Sequence, residues 1–215
     1  MVLVVVLLAT LLVSALAAAL IVTSSSEVMI AANFRRAFEA LHAADGAAER
    51  AMGDLAPLAD WDSVLSGAAR STFVDGPPFG ARLLSDGSMI DPSQVRNLAN
   101  CRKITSCSSA EMDAVTVERP WGANNPRWQP YAYGRLADLL PNPVGGPPYY
   151  AVVLIADDPS ENPERDGGGS GRAGLGAASL RAEVFGPRGT HQVVELTITR
   201  SGPGRLRVVS WRAVR

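Results

Sequence analysis

The chain has 215 residues, with 20 basic and 21 acidic side chains and a formal net charge of −1. No block of like charge occurs either, so the sequence indicates neither an electrostatic footprint for nucleic acid nor a polybasic patch for lipid headgroups. Once an apolar N-terminal segment is set aside, the length leaves room for one soluble domain of about 160 residues around a single core.

Residues 1–22 form an apolar run whose only polar side chains are Thr10 and Ser14. A helix of this length spans about 33 Å, enough to cross the hydrocarbon core of a bilayer. No glycine precedes Gly46 and no proline precedes Pro57, so the helix is predicted to continue beyond the membrane. We predict a transmembrane half over residues 1–23 and an amphipathic half over residues 24–56.

Beyond the apolar run, apolar side chains recur every three or four residues, as on one face of an amphipathic helix. We expect Phe34, Phe38 and Leu41 on this face to pack onto a globular head that spans residues 57–215. A cleaved signal peptide is the main alternative, because residues 15–19 offer small side chains. However, the apolar core of a signal peptide is usually only about 7–15 residues long. An unrelated domain with a plain single-pass anchor is the third interpretation.

The region after Pro57 predicts short elements separated by turns. The expected elements are a short helix or turn over Leu58–Arg70, a brief strand at Phe73 and Val74, a hairpin of Ala81–Leu84 with Ser88–Ile90, a helix over Ser93–Ala99 and a helix from Ser108 or Ser109 to before Pro120.

The chain has two cysteines, Cys101 and Cys107, and no histidine lies near them in the sequence. A four-ligand zinc site is therefore not predicted. If the domain faces an oxidising compartment, we expect the two to form a local disulfide. Two free thiols in a cytosolic domain are the alternative.

Residues 120–134 contain four aromatic residues and three prolines, with little periodicity. We interpret the segment as an ordered loop whose Trp and Tyr rings cover the core. An exposed contact surface is the alternative.

Four strands are predicted in the second half of the chain, over Tyr149–Ala156, Leu180–Phe185, Gln192–Thr199 and Leu206–Val214. In the third, apolar Val194, Leu196 and Ile198 alternate with polar residues, as in a sheet with one covered face. Short turns between the last three strands predict an antiparallel meander. The apolar face of this sheet is about the size of the amphipathic half of the first helix, and we expect that half to cover it. We therefore predict an α+β fold in which a long N-terminal helix packs on an antiparallel sheet.

Between the first two of these strands lies a polar, glycine-rich segment, residues 157–176. Its composition predicts a solvated loop. Its five carboxylates are candidate ligands for Ca²⁺, which prefers several hard oxygen atoms, although their spacing is not that of an EF-hand. They are Asp157, Asp158, Glu161, Glu164 and Asp166.

We find no combination of residues that predicts catalysis. The two histidines, His42 and His191, lie on a helix and at the start of a strand, and no nucleophile elbow, zinc-protease helix or phosphate-binding loop occurs. The paired acids lie in the flexible loop, which is a poor place to hold catalytic geometry. We predict neither an enzyme nor a cofactor, apart from the candidate calcium.

The segment that follows the apolar run resembles the N-terminal region of PilX-type minor pilins of type IV pili. The minor pseudopilin of the K type in type II secretion systems is similar over the same stretch. The strand-rich C-terminal end, which closes on Val-Ser-Trp-Arg at residues 209–212, also resembles the family. The matching positions are Glu27, Met29, Asn33, Phe34, Arg35, Phe38, Ala40, Ala43, Ala44 and Glu49.

This resemblance implies a pilin-like head and a minor pilin that takes part in type IV pilus assembly. It implies other minor and major pilins as partners through the N-terminal helix, and inner-membrane lipid as its surroundings before assembly. The implied location is the inner membrane, single-pass with the head facing the periplasm, and then the cell-surface pilus. The alternatives are a type II secretion minor pseudopilin and an exported binding module with a cleaved signal peptide.

The sequence departs from the family pattern in two respects, and each departure leads to an expectation. Prepilins begin with a short basic leader, and no such segment stands before residue 1 in this sequence. Either the sequence is the mature form or the true start lies upstream, and we favour the upstream start. Major pilins carry a glutamate as the fifth residue of the mature chain, whereas no acidic residue occurs here before Glu27. Because a buried carboxylate without a partner is costly, its absence favours a subunit with nothing above it, in the initiating or tip complex.

Overall fold

The computed structural model describes residues 1–115, 125–139, 146–159, 176–202 and 204–214. The chain divides into two compact units, residues 1–39 and residues 40–215. The first helix, α1 (Val2–Leu55), is continuous and contributes residues to both units. The long apolar N-terminal helix that the sequence predicts is thus confirmed.

Short helices follow α1, and strands make up most of the later described ranges. The helices are α2 (Asp62–Leu65), α3 (Pro92–Cys101) and α4 (Ser109–Ala114), with 3-10 turns at Leu136–Leu139 and Pro187–Gly189. The strands are β1 (Arg82–Leu83), β2 (Met89–Ile90), β3 (Gln129–Arg135), β4 (Tyr150–Asp157), β5 (Ala177–Gly186), β6 (Thr190–Gly202) and β7 (Arg205–Val214).

Within the described ranges, β3 to β7 form a five-stranded sheet in sequence order, and every neighbouring pair is antiparallel. The predicted meander and the α+β fold class are therefore confirmed. The expectation of a loop over residues 120–134 is wrong for its second part, because Gln129–Arg135 is the first strand of the sheet. Pro130 is tolerated there because β3 is an edge strand and its register shifts at this point.

The aromatic rings of that segment that the structure describes are buried, as the loop interpretation expected. Trp128, Tyr131 and Tyr133 each expose 2 % or less of their surfaces, which excludes them from an exposed contact surface. Trp121 lies outside the described residues. Burial raises the pKa of the Tyr131 hydroxyl to about 12, with a smaller contribution from the negative charge of Asp54.

One face of the sheet, called the helix-side face, packs against the C-terminal turns of α1. The helix contributes mostly small side chains, and the sheet contributes alternate residues of β4, β5 and β6. The buried helix residues are Ala40, Ala44, Ala47, Ala48, Ala51 and Leu55. Val194, Leu196 and Ile198 of β6 lie in this core, which matches their predicted alternation.

The end of α1 is closed by side-chain contacts within this core. The indole Nε1 of Trp61 donates to the carbonyl of Leu55 at 3.3 Å, and Arg200 lies over the Trp61 ring at 4.3 Å. Arg200 Nη1 also donates to the carbonyl of Leu58 at 2.8 Å. Carbonyls near the helix end, which have no partner within the helix, thereby gain donors.

The opposite face, called the α3-side face, is covered over β3 and β4 by the β1–β2 hairpin and α3. Its core comprises Ile90, Val95, Trp128, Tyr133, Tyr150, Val152, Leu154 and Ala156. Strand β4 is therefore buried on both faces, which explains its continuous apolar sequence.

Two sets of close contacts hold α3 and the end of β5 in place. The Asn100 side chain pairs with the backbone of Trp128, accepting from its N–H at 2.8 Å and donating to its carbonyl at 3.0 Å. At the end of β5, the ring of Tyr149 occupies the position that a Cβ atom on Gly186 would need. Glycine is required there for close approach.

Candidate functional site

The N-terminal part of α1 presents an apolar surface on all sides. Within the described residues, α1 is the one helix that is long and apolar enough to cross a membrane, with a mean hydropathy of 2.9 over its most apolar window. Its large apolar side chains, from Val2 to Val22, are all exposed. By length and composition, such a surface is compatible with a membrane-spanning helix.

The few hydroxyl groups in this region bond to the helix itself. Thr10 Oγ1 donates to the carbonyl of Leu7 at 2.9 Å, and Ser14 Oγ donates to the carbonyl of Thr10 at 2.8 Å. Thr23 Oγ1 donates to the carbonyl of Ala19 at 3.0 Å. These polar groups therefore require no water, and they are compatible with a hydrocarbon environment.

Residues of the family-like segment interact with one another along the helix surface. The rings of Phe34 and Phe38 stack with centroids 6.4 Å apart. Arg36 Nη1 donates to Asn33 Oδ1 at 2.9 Å, and Arg35 lies 3.6 Å from Glu39. These groups are exposed or half-buried in the structure.

The three predicted helix-packing residues lie on both sides of the boundary between the two units, Phe34 and Phe38 in residues 1–39 and Leu41 in residues 40–215. Phe34 and Phe38 expose 73 % and 53 % of their surfaces, whereas Leu41 is half-buried against the helix-side core. The buried positions begin at Ala40. Within residues 40–215, the core takes mostly small side chains from the helix and larger ones from the sheet.

The cysteine pair forms a disulfide between α3 and α4. Cys101 is the last residue of α3, and its Cα atom lies 5.9 Å from that of Cys107. Arg102, between them, adopts a left-handed conformation with φ of 59° that ends α3. The predicted local disulfide is thus present, and it joins the ends of two helices.

Helix α4 begins directly after the disulfide with a capping box. Ser108 accepts from the backbone N–H of Glu111, and the Glu111 carboxylate accepts from the backbone N–H of Ser108. The hydrogen bond from Lys103 and those with Ser108 lower the pKa of Glu111 to about 2. The carboxylate is therefore charged at neutral pH and holds the disulfide loop against the helix start.

The candidate calcium ligands are only partly within the described residues. Asp157 ends β4, and Asp158 accepts a hydrogen bond from Ser179 Oγ at 3.2 Å. Glu161, Glu164 and Asp166 lie outside the described residues. In the parts of the chain that the structure describes, no group of three or more His, Cys, Asp or Glu side chains is arranged to hold a metal ion.

A charged network on the α3-side face of β5, β6 and β7 was not predicted from the sequence. Arg181 Nε bonds to Glu183 Oε1 and Arg181 Nη1 to Glu195 Oε1, each at 2.6 Å. Arg212 Nη2 reaches Glu195 Oε2 at 2.5 Å, and His191 Nε2 lies 2.9 Å from Glu183 Oε2. All four carboxylate oxygens therefore have a partner.

Burial and charge oppose each other in this network. Burial acts to raise the pKa of Glu183, but the hydrogen bond from His191 and the positive charge of Arg181 lower it below its ordinary value. Burial likewise acts to lower the pKa of Arg181, while Glu183 and Glu195 raise it. The charges of Arg181 and Glu183 thus compensate each other in the folded state, which suits a structural role.

The signal that could have revealed the network is the alternation within β5. Arg181 and Glu183 alternate with the apolar Leu180, Ala182 and Val184, which face the helix-side core. The pattern indicates a strand with one polar face. It does not indicate that the polar face is itself buried.

Cavities lie beside this network. One of about 290 Å³ is lined by Trp128, Arg181, Glu195 and Arg212 together with residues of α3 and α4. Another, of about 260 Å³, lies between the β1–β2 hairpin, α3 and the β5–β6 turn, beside Phe185 and His191. The Phe185 ring stacks on His191 with centroids 4.5 Å apart.

The geometry thus offers a long apolar helix surface and a structural ion-pair network. Comparison of the chain with family models, with curated proteins and with solved structures finds no match, so a function must be argued from the residues themselves.

Proposed function

We propose that this chain is a minor pilin that takes part in type IV pilus assembly, in the initiating or tip complex. It is anchored in the inner membrane by the first part of α1, with the head in the periplasm, until the subunit enters the filament. Its role is to pack against other pilin helices, and it needs no catalytic group.

The observation that carries the proposal is the continuity of α1. A single helix runs from the exposed apolar residues that begin at Val2 to the buried alanines that end at Leu55. In a cleaved signal peptide, the apolar part would be discarded and would need no continuity with the core of the mature domain. Here the helix that can enter the membrane also provides part of the head's own core, from Ala40 onward.

Further support comes from the head and from the family-like segment. A helix that covers one face of an antiparallel meander is the layout that the resemblance implies. Asn33, Phe34, Arg35 and Phe38 match the family pattern and are exposed or half-buried, so they are available to neighbouring subunits. The disulfide suits an oxidising compartment such as the periplasm.

A charge in the apolar run tests the proposal. Leu12→Arg places a guanidinium near the middle of the membrane, which costs about 2.5–3.5 kcal/mol on insertion scales and would disturb helix packing. The matched control is Leu83→Arg, because Leu83 is also an exposed leucine, at 72 %, but lies on β1 of the head.

We expect deletion of the gene to reduce the number of surface pili without changing their thickness. Leu12→Arg should reproduce this loss, and Leu83→Arg should restore normal piliation. Pili are counted by electron microscopy of the source strain carrying each variant. Normal piliation in the deletion strain, together with poor export of another protein, would support the secretion pseudopilin and reject the pilus role.

The N-terminal residue of the purified mature protein tests the exported-module alternative separately. A mature chain that begins after residues 15–19 would mean that the apolar run is removed. That result would contradict the proposal whatever the pilus count.

A further inference from the structure

Strand β7 forms one edge of the sheet, and among the described residues no strand pairs with its outer side. It spans ten residues, Arg205–Val214, which is longer than the usual strand of about 5–6 residues. All of its positions are exposed except Leu206 and Val214, which are half-buried. A long exposed edge leaves backbone N–H and C=O groups that can pair with another extended segment.

On the helix-side face, this edge is apolar. Directly opposed residues of an antiparallel pair share a face, and Val208 and Trp211 lie opposite Ile198 and Leu196 of the helix-side core. Val208 and Trp211 nevertheless expose 43 % and 49 % of their surfaces. Trp211 Nε1 donates to Asp45 Oδ1 at 2.8 Å, which holds the indole in place while part of the ring stays open.

On the α3-side face, the same edge is basic. Arg207 lies opposite Thr199, and Arg212 lies opposite Glu195. The Arg212 side chain bonds to Glu195 but remains 60 % exposed. Strand β7 contains three arginines, the third being Arg205, and no acidic residue.

We propose that the outer edge of β7 binds an extended segment of a partner protein in which apolar and acidic residues alternate. Main-chain hydrogen bonds would provide the pairing, the apolar residues would contact Val208 and Trp211, and the acidic residues would face Arg207 and Arg212. A second copy of β7 is a poor occupant, because it would bring three arginines against three. The inference concerns the head alone and does not depend on the proposed role of α1.

The test uses the full chain in detergent micelles and two labelled ten-residue peptides. One peptide alternates valine with glutamate, and the other alternates valine with lysine. By fluorescence anisotropy at low salt, we expect the glutamate peptide to bind about tenfold more tightly or better, and its advantage to shrink as salt is added. Equal affinity for the two peptides, or no binding of either, would overturn the proposal.

A charge reversal on the edge locates the site. Arg207→Glu should weaken binding of the glutamate peptide by about fivefold and strengthen binding of the lysine peptide, because opposed charges across a strand pair attract and like charges repel. Arg70→Glu makes the same change at another exposed position of the head and should leave both affinities unchanged. An equal loss in both variants would mean that only the net charge matters, which contradicts a site on β7.

Hydrogen exchange provides a readout that separates strand pairing from loose electrostatic attraction. The bound glutamate peptide should slow exchange of backbone amides within residues 205–214. Binding without protection there would contradict pairing at this edge. Sedimentation of the full chain provides a further check, since a dimer that Arg207→Glu abolishes would identify a second copy as the occupant and reject the proposed partner.

Discussion

The two faces of the sheet are stabilised in different ways, as adjacent residues of β5 illustrate. Leu180 is fully buried in the helix-side core, where its neighbours are apolar. The next residue, Arg181, lies on the α3-side face between the carboxylates of Glu183 and Glu195. The apolar face depends on shape and volume, whereas the charged network depends on all of its members being present together.

The largest effect is expected from Arg181→Met, which keeps the bulk of the side chain and removes its charge. Glu183 and Glu195 would then be buried without the guanidinium between them, and we expect a loss of about 3–5 kcal/mol in the free energy of unfolding. Denaturant unfolding of the full chain in detergent measures this loss.

A triple variant sharpens the comparison between the faces. With Glu183→Leu and Glu195→Leu added to Arg181→Met, the network becomes apolar, and most of the stability should return. A single Arg181→Met variant as stable as the wild type would mean that the network contributes little.

On the apolar face, Leu180→Ala is expected to cost about 3 kcal/mol through the cavity it leaves. Because no charge is involved, the loss should be the same at neutral and mildly acidic pH. Leu83→Ala, at an exposed position, should change stability by less than about 0.5 kcal/mol. A loss for Leu180→Ala that varied strongly with pH would contradict the distinction between the faces.

A smaller loss of stability is expected from a substitution at the end of β5, beside the β5–β6 turn. Gly186→Ala places a methyl group into the Tyr149 ring, and such overpacking costs about 1–3 kcal/mol. Gly46→Ala is the matched control, because Gly46 lies on the exposed side of α1 with no atom near its Cβ position. There alanine should stabilise the protein by about 0.5–1 kcal/mol. Thermal unfolding distinguishes the two, and a Gly186→Ala variant with a raised midpoint would contradict this packing.

The smallest effect is a pH dependence of the charged face. Because the folded-state pKa of Glu183 is lowered, its stabilising contribution is present above the ordinary glutamate pKa of about 4.3 and is lost as the pH falls through the folded value. The wild type should therefore be more stable than Glu183→Gln near neutral pH, and the difference should shrink on acidification. Denaturant midpoints measured between about pH 7 and pH 3 check this. A difference that stayed constant would show that Glu183 does not titrate in the expected sense.

Much of the architecture was predictable because local signals agree with the tertiary contacts. The apolar run of α1 and the alternation of Val194, Leu196 and Ile198 each reflect the environment of those residues directly. Strand β3 was missed because Pro130 argues against a strand. It forms because Gln129–Arg135 pairs with β4, a contact distant in sequence.

The alanine face of α1 and the charged network could not be located from the sequence for related reasons. A hydrophobic pattern gives most weight to large side chains such as Phe34 and Phe38, whereas the buried face of α1 is made mainly of alanines. Pairing of Arg181 with Glu195 depends on the register between β5 and β6, in which these two residues lie opposite each other. That register is set by the hydrophobic pattern and by the geometry of the β5–β6 turn, and the turn geometry is not evident from the sequence.

The disulfide gives Cys101 and Cys107 a second covalent connection. They are joined through the backbone of the residues between them and also through their sulfur atoms. Arg102 and Lys103, both residues after which trypsin cleaves, lie inside the ring that the disulfide closes. A cut after either residue would leave the two fragments as one molecule on a non-reducing gel. Such a nick would become visible only when a reductant is added, and the head would then separate between α3 and α4.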